Sequence, residues 1–113
     1  MNTSIYRGRF APSPTGELHF GTLLAAVGSY LQARSQQGEW LMRIEDVDTT
    51  RRVEGAADAL LRALEGFGFE WDGGEVYQSE RTEIYQSALE SLSHKDLVYP
   101  CPCSRKQLAE ENP

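Results

Sequence analysis

Apolar residues recur along the chain in two rhythms, one typical of strands and one typical of helices. Apolar-rich runs of strand length occupy residues 5–10 and 40–44. Between them, apolar positions recur every three or four residues from Phe20 to Gln37, which predicts an amphipathic helix ended by Gly38. The face of this helix consists of Phe20, Leu23, Leu24, Val27, Tyr30, Leu31 and Arg34.

The order strand, helix, strand predicts a β-α-β unit with a right-handed crossover and parallel strands. Both strands then end at one edge of the sheet, where open α/β proteins bind their ligands. Two polar segments lie at this edge, residues 12–22 after the first strand and residues 45–48 after the second. The sequence therefore predicts an α/β fold with a parallel sheet, flanking helices and a ligand site formed by these segments.

A second helix is predicted at about residues 53–65, ended by Gly66 and Gly68, and a short extended piece at residues 76–78. The buried side of this helix is expected to consist of Val53, Ala56, Ala57, Leu60, Leu61 and Leu64.

A third helix is predicted after Ser79, which can act as its N-cap. Its buried side is expected to consist of Ile84, Tyr85, Ala88, Leu89 and Leu92. Residues 97–99 have the pattern of a short strand. Ser104 and Gln107 have the spacing of a capping box, which predicts a last helix.

Length and composition restrict the class of protein. A chain of 113 residues with 40% hydrophobic and 25% charged residues fits one small globular domain. Its net charge of −6 argues against a broad electrostatic grip on nucleic acid. The chain has no long apolar run and no leader pattern, so we expect a cytoplasmic protein without a membrane partner. We also expect it to act as a monomer.

The segment after the first strand has the chemistry of a phosphate site. Prolines end the strand, and glycines allow close approach or a positive φ. Hydroxyl and imidazole side chains gather where the following helix begins, and a helix N-terminus favours an anion. The residues concerned are Pro12, Ser13, Pro14, Thr15, Gly16, His19, Gly21 and Thr22.

Arg9 and Glu45 stand at the ends of the two strands. A guanidinium offers a planar fork of donors that suits a carboxylate, and a carboxylate suits an ammonium group. An exposed arginine without a role is the alternative. Asp46 and Asp48 follow, either as turn and helix caps or as a magnesium site; we favour caps, because Mg²⁺ in such sites is bound mostly through substrate phosphates.

The only two cysteines, Cys101 and Cys103, are separated by one proline. This spacing suits a metal in a reducing compartment better than a disulfide framework. Two thiolates do not complete a tetrahedral zinc site, so a pair of partly buried thiols is the alternative.

Three segments carry a resemblance to a known family. Residues 12–22, Pro-Ser-Pro-Thr-Gly-Glu-Leu-His-Phe-Gly-Thr, resemble the HIGH signature of class I aminoacyl-tRNA synthetases in its glutamyl-branch form. Residues 43–48 and 77–81 resemble the second and third signatures of that branch. The helix that begins at Phe20 is similar to the corresponding helix of a shortened paralogue within the glutamyl branch. Thr22 and Leu23 stand where ordinary members of that branch carry a glycine and an arginine.

This resemblance implies a Rossmann-like class I synthetase catalytic domain. Family members are longer, so residues 1–98 would be the N-terminal part of that domain. Residues 99–113 would begin a zinc-binding insertion that is cut short, with Cys101 and Cys103 as half of the Zn²⁺ site.

The resemblance also implies activation of L-glutamate with ATP and Mg²⁺, followed by transfer of glutamate to the queuosine base of tRNA(Asp). It assigns catalysis to His19 and Thr22. The implied ATP site consists of Pro12, Ser13, Thr15, Gly16, His19, Gly21 and Thr22. The implied glutamate site consists of Arg9, Phe10, Ala11, Pro12, Ser13 and Glu45.

Two other functions stay open. An ordinary glutamyl-tRNA synthetase would charge the 3′ end of its tRNA instead. A non-catalytic nucleotide-binding fragment is the third reading, because the family's lysine-rich KMSKS loop does not occur in this sequence. On that ground we expect the 113-residue chain alone to be inactive.

Overall fold

The computed structural model describes residues 4–16 and 18–111, which fall into two compact units divided between Arg81 and Thr82. The first unit contains strands β1 to β3, helices α1 and α2, and a short 3₁₀ turn. Their bounds are β1 Arg7–Phe10, α1 Phe20–Ser35, β2 Glu39–Ile44, α2 Ala56–Gly66, β3 Val76–Tyr77 and the 3₁₀ turn Gln78–Arg81. The second unit contains α3 Thr82–His94 and α4 Arg105–Glu111. The sequence-based division at residue 98 stays a prediction.

The sheet has the strand order β1-β2-β3, and both pairs of neighbouring strands are parallel. β1 pairs with the first four residues of β2, from Arg7 opposite Glu39 onward, and β3 pairs with the last two, with Val76 opposite Arg43. The β1-α1-β2 unit predicted from the sequence is confirmed, as is the extended segment at residue 76. The hand of the crossover stays a prediction.

The core lies on one face of the sheet. Alternate residues of β2, Trp40, Met42 and Ile44, are each at most 1% exposed, and Leu64 of α2 is fully buried. The Trp40 ring stacks on Phe10 and Phe69 at centroid distances of 5.7 and 5.5 Å, and it meets the ring of Tyr30 edge-on at 5.0 Å. This aromatic packing therefore holds α1, through Tyr30, and the segment after α2, through Phe69, against the sheet.

The predicted face of α1 is partly wrong. Phe20, Leu24 and Leu31 are between 60% and 78% exposed, whereas the buried residues of the helix are Ala26 and Ala33. The reason lies in β1, where a Cβ added to Gly8 would meet the Ala33 Cβ at 3.4 Å. The helix approaches β1 so closely that a small residue, Ala33, lies at the contact, while Leu23, Val27 and Tyr30 pack against the core as partly buried residues.

The end of α1 also differs from the prediction. The helix ends at Ser35, and the left-handed residue is Gln37, with a φ of 54°. The backbone N–H groups of Gln37 and Gly38 donate to Arg34 and Ala33, which closes the helix in a Schellman motif. Gly38 serves a different purpose, because a Cβ there would lie 2.3 Å from the Tyr6 carbonyl oxygen.

Helix α2 buries Ala56, Leu60, Leu61 and Leu64, as its sequence pattern predicts. It begins three residues later than predicted, after Gly55 at a φ of 78°, and this leaves Val53 48% exposed.

In the second unit, the capping box is confirmed. Gln107 N donates to Ser104 Oγ at 3.2 Å, and Ser104 N donates to Gln107 Oε1 at 2.8 Å. Residues 97–99 form no strand, so that prediction is wrong. The prediction of a buried side on α3 is also wrong, because none of its residues is buried; Ile84, Tyr85, Leu89 and Leu92 are between 37% and 54% exposed. The spacing of apolar residues predicts that α3 has an apolar face, but it does not predict which element packs against that face.

Candidate functional site: a loop junction at the carboxyl ends of two strands

The loops that follow β1 and β2 meet through their backbones. Glu45 N donates to the Pro12 carbonyl oxygen at 3.0 Å, and Val53 N donates to that of Pro14 at 2.9 Å. Both prolines are buried, while Ser13, Thr15 and Gly16 are exposed. The junction therefore presents the polar side chains of the first loop to solvent at the edge where the sequence places a ligand.

His19 is the N-cap of α1. Its Nδ1 accepts from Thr22 N at 3.2 Å, and its Nε2 lies 2.9 Å from Thr22 Oγ1. A backbone N–H can only donate, so Nδ1 carries no proton and the neutral ring has its proton on Nε2. Nε2–H then donates to the Thr22 hydroxyl oxygen and leaves the hydroxyl hydrogen for another acceptor.

Gly21 makes room for this arrangement. A Cβ at Gly21 would approach the His19 ring to 3.2 Å, closer than most real side chains come. The His19 ring also lines an apolar cleft of about 510 Å³ between the start of α1 and α2. The other residues lining this cleft are Leu18, Phe20, Leu23, Ala59, Leu60, Ala63 and Phe67.

Arg9 and Glu45 lie on the opposite side of the sheet from the core. Phe10 and Ile44 point into the core, and side chains alternate along a strand, so their neighbours Arg9 and Glu45 point away from it. Arg9 is exposed, and Glu45 pairs with Arg43, with Nε and Oε1 3.6 Å apart. The two groups thus offer a cation and a carboxylate on the same face.

The remaining residues of the predicted glutamate site are placed differently from one another. The Phe10 side chain is 6% exposed and stacked on Trp40, so only its backbone is left for a ligand. Pro12 is buried, Ala11 is half-buried and Ser13 is exposed. Side-chain contacts with a ligand are therefore open to Arg9, Ser13 and Glu45.

Asp46 is not the turn or helix cap that we favoured from the sequence, because its carboxylate binds a residue of a distant segment. Its side chain is 8% exposed and accepts two hydrogen bonds from Ser79, one from the backbone N at 2.8 Å and one from Oγ at 2.7 Å. Burial opposes its charge, but the two bonds from Ser79, together with its own backbone N–H and the charge of Arg52, leave the pKa of Asp46 lowered. Ser79 lies in the 3₁₀ turn just before α3, which begins at Thr82, and its role as the cap of that helix stays a prediction.

Asp48 acts as a cap, the role we favoured over a metal ligand. Its Oδ1 accepts from Thr50 Oγ1 at 2.7 Å and from Arg51 N at 3.3 Å. The bond from Thr50 is the main cause of the lowered pKa of Asp48. Behind this turn lies a polar cleft of about 390 Å³, lined by Pro14, Asp46, Thr49, Arg52, Val53, Glu54, Gly55 and Ala57.

Cys101 and Cys103 are both exposed and unbonded to each other. Within residues 4–16 and 18–111, no three His, Cys, Asp or Glu side chains are grouped so that they could hold a metal ion. The two thiols therefore fit half of a tetrahedral zinc site and no more. Among the same described residues, no helix is long and apolar enough to cross a membrane.

Comparison with known proteins identifies the family. The family model described as tRNA synthetases class I (E and Q), catalytic domain, matches residues 6–113. The chain belongs to this family of class I tRNA synthetases. The resemblance inferred from the three signatures and the predicted fold class are both confirmed.

Individual relatives narrow the likeness. A glutamyl-Q tRNA(Asp) synthetase of Dechloromonas aromatica is 65% identical over 107 residues, and one of Chromobacterium violaceum is 60% identical over 109 residues. These matches cover 95% and 96% of this chain, but 36% and 37% of the relatives. The chain thus spans little more than a third of the length of these curated relatives.

Solved structures agree with this placement. A glutamate tRNA ligase from Elizabethkingia meningosepticum, solved in complex with its amino acid, matches with a TM-score of 0.81 at 35% identity. The match covers 96% of this chain and 23% of that ligase. A glutamate-tRNA synthetase from Elizabethkingia anophelis matches with the same score, identity and coverage.

Proposed function

We propose that the protein carrying this chain activates L-glutamate with ATP as glutamyl-adenylate and transfers the glutamyl group to the queuosine base of tRNA(Asp). The observation that carries the proposal is the hydrogen bond from Glu45 N to the Pro12 carbonyl oxygen. It joins two family signatures at the ends of parallel strands, with Arg9 and Glu45 on one face. The names of the relatives support tRNA(Asp) as the acceptor.

For glutamate, the proposed contacts follow from charge and geometry. Arg9 binds the γ-carboxylate through its fork of donors, and Glu45 binds the α-ammonium. Ser13 and the backbone of residues 10–12 complete the pocket. The Arg43 guanidinium lies beside the Glu45 carboxylate, with Nε 3.6 Å from Oε1.

For ATP, the proposed site is the exposed loop from Pro12 to Thr22. The N-terminus of α1 and the Thr22 hydroxyl face the phosphates, and His19 Nε2 donates to the oxygen of that hydroxyl. An oxygen of the glutamate α-carboxylate attacks the α-phosphorus in line, and pyrophosphate leaves. The protein supplies alignment and hydrogen bonds for the charge that builds up; Mg²⁺ would be bound through the phosphates.

Two further properties belong to the same proposal. Cys101 and Cys103 supply two of the four ligands of a structural Zn²⁺ ion, and the other two come from residues outside the described part of the chain. The enzyme works as a monomer in the cytoplasm, where thiols stay reduced.

A labelling assay tests the acceptor. The full-length protein is incubated with ATP, labelled glutamate and one of three tRNAs: queuosine-bearing tRNA(Asp), tRNA(Asp) without queuosine, or unmodified tRNA(Glu). We expect label only on tRNA(Asp), and only when queuosine is present. Label on the 3′ end of tRNA(Glu) would identify an ordinary glutamyl-tRNA synthetase. ATP binding without labelling of either tRNA would identify a nucleotide-binding module.

Arg9→Lys tests the glutamate pocket. A lysine keeps the charge but loses the two-pronged contact, and a hydrogen bond to a charged group contributes about 1.5–3 kcal/mol. Glutamate-dependent ATP–pyrophosphate exchange should therefore fall about ten- to a hundredfold. Arg7→Lys is the matched control: Arg7 stands two residues earlier on the same strand and pairs with Glu39 at 2.9 Å. Equal activity of the two variants would remove Arg9 from the pocket.

A further inference from the structure

Asp46 and Ser79 connect two segments that the sequence holds far apart. Asp46 follows β2 directly, and Ser79 lies in the 3₁₀ turn that follows β3, 33 positions later. Each carboxylate oxygen of Asp46 has its own donor from Ser79: Oδ1 accepts from the backbone N and Oδ2 from the hydroxyl. We name this pair of hydrogen bonds the Asp46–Ser79 clasp.

The clasp leaves Asp46 unsuited to bind a ligand itself. Its side chain is buried, and both oxygens are occupied. Arg52, which lies in the same loop after β2, donates a further bond from Nη1 to the Asp46 carbonyl oxygen at 3.4 Å. This bond also restrains the backbone of Asp46. Because the Asp46 carboxylate is fixed, the backbone of Asp46 is fixed as well, and this restricts the position of the neighbouring residue.

Glu45 is the neighbour that this backbone positions. On one side, Glu45 N is bound to the Pro12 carbonyl oxygen at 3.0 Å; on the other, the next residue is fixed by the clasp. The Glu45 side chain itself is 42% exposed, and Arg43 is its ion-pair partner at 3.6 Å. Its direction is therefore set mainly by the two backbone anchors.

We propose that the Asp46–Ser79 clasp is a positioning element that aims the Glu45 carboxylate at the α-ammonium group of the substrate amino acid. This inference rests on the proposed function, because it assumes that Glu45 binds the ammonium. It assigns a role to the third signature: Ser79 orients a pocket on a neighbouring strand without contacting the substrate. Loss of the Ser79 hydroxyl then affects ligands that carry the ammonium group and spares ligands that lack it.

Binding of L-glutamate and of glutarate separates positioning from general stability. Glutarate keeps both carboxylates of glutamate and lacks only the ammonium group. In Ser79→Ala of the full-length protein, we expect the dissociation constant of L-glutamate to rise about two- to tenfold, the effect of one hydrogen bond. The constant for glutarate should stay within about twofold, and Ser79→Thr, which keeps the hydroxyl, should restore glutamate binding.

Ser79→Ala should fold, because the backbone bond to Asp46 remains and Ser79 is exposed. Thr50→Ala is the matched control, since it removes a hydroxyl that donates to Asp48 in the same loop. This control should change the binding of neither ligand. Equal weakening of glutamate and glutarate in Ser79→Ala, or no weakening, would overturn the positioning role alone. A wild-type protein that binds glutarate as tightly as glutamate would overturn the assignment of Glu45, and with it both proposals.

Discussion

At the scale of single residues, the structure changes the meaning of the HIGH-like segment. His19 stabilises the start of α1 through Nδ1 and holds the Thr22 hydroxyl through Nε2. In the general HIGH signature the position of Thr22 is the last histidine, whereas ordinary members of the glutamyl branch carry a glycine there; the Thr22 hydroxyl donates a hydrogen bond but cannot carry positive charge. Because His19 occupies the hydroxyl oxygen, the hydroxyl hydrogen is left for another acceptor, and under the proposed function that acceptor is a phosphate of ATP.

Two substitutions at His19 separate its structural and its chemical role. Asparagine is a good N-cap, whereas alanine loses the cap at a cost of about 0.5–2 kcal/mol. We expect His19→Ala, but not His19→Asn, to lower the free energy of unfolding by about 1 kcal/mol in urea titrations. Both variants should reduce the rate of adenylate formation in the full-length protein far more than the affinity for ATP, because the ring acts where charge develops. A normal rate of ATP–pyrophosphate exchange in His19→Asn would show that His19 serves only as the N-cap of α1.

Sequence reasoning predicted the location of some site residues better than that of others. The sequence placed Arg9 and Glu45 at the ends of neighbouring strands, because the end of a strand is a local property of the sequence. The burial of Asp46 depends on Ser79, 33 positions away, and no local pattern contains that pairing. The signal that was present is the shared membership of both residues in family signatures, which pointed to a common site without naming the contact.

At the scale of elements, periodicity gave the helices but not always their buried faces. For α1, the pattern favoured the large residues, whereas the fully buried residues are Ala26 and Ala33, and Ala33 lies where the helix approaches Gly8 closely. For α2, the two agree, since Leu60, Leu61 and Leu64 are both periodic and buried. Periodicity identifies residues able to be buried, and the spacing between elements decides which of them are.

The end of α1 allows a stabilising substitution. Gln37 has a φ of 54°, where a side chain is strained and glycine is not. Gln37→Gly should raise the free energy of unfolding by about 0.5–1 kcal/mol, since the relief exceeds the added entropy of the unfolded chain. Gln36→Gly is the control, because its φ of −99° needs no glycine, and it should give no gain. Chemical denaturation of the two variants decides; a loss of stability in Gln37→Gly would contradict the strain.

At the scale of the whole molecule, an aspartate lies at each end of the central strand in the first compact unit. At the carboxyl end of β2, Asp46 accepts from Ser79. At the amino end, Asp72 Oδ2 accepts from Trp40 N and from Arg34 Nη1, both at 2.8 Å, and Asp72 N donates to the Trp40 carbonyl oxygen at 2.9 Å. Asp72 thereby satisfies the backbone of β2 where β3 does not reach it.

These two carboxylates should make the fold sensitive to acid. The bond from Trp40 N, followed by that from Arg34, lowers the pKa of Asp72. Burial opposes the charge of Asp46, but the bonds from Ser79, its own backbone N–H and Arg52 together lower its pKa. A carboxyl with a lower pKa in the folded state stabilises the fold above its unfolded pKa, about 3.9 for aspartate, and this contribution is lost as the pH falls through the folded value. We therefore expect the free energy of unfolding of the 113-residue chain to be steady near neutral pH and to fall below about pH 4.

Aspartate-to-asparagine variants assign that loss to the two ends of β2. Asp46→Asn and Asp72→Asn should each be less stable than the wild type at pH 7 and should each show a smaller fall between about pH 4 and pH 2, because the titrating group is gone. Asp46→Asn should have the larger effect, since Asp46 is 8% exposed whereas the Asp72 side chain is 41% exposed and screened by solvent. Glu90→Gln is the control, a carboxylate on the exposed helix α3. Urea titrations across the pH series measure all three; a slope unchanged in both aspartate variants would show that other groups carry the acid sensitivity.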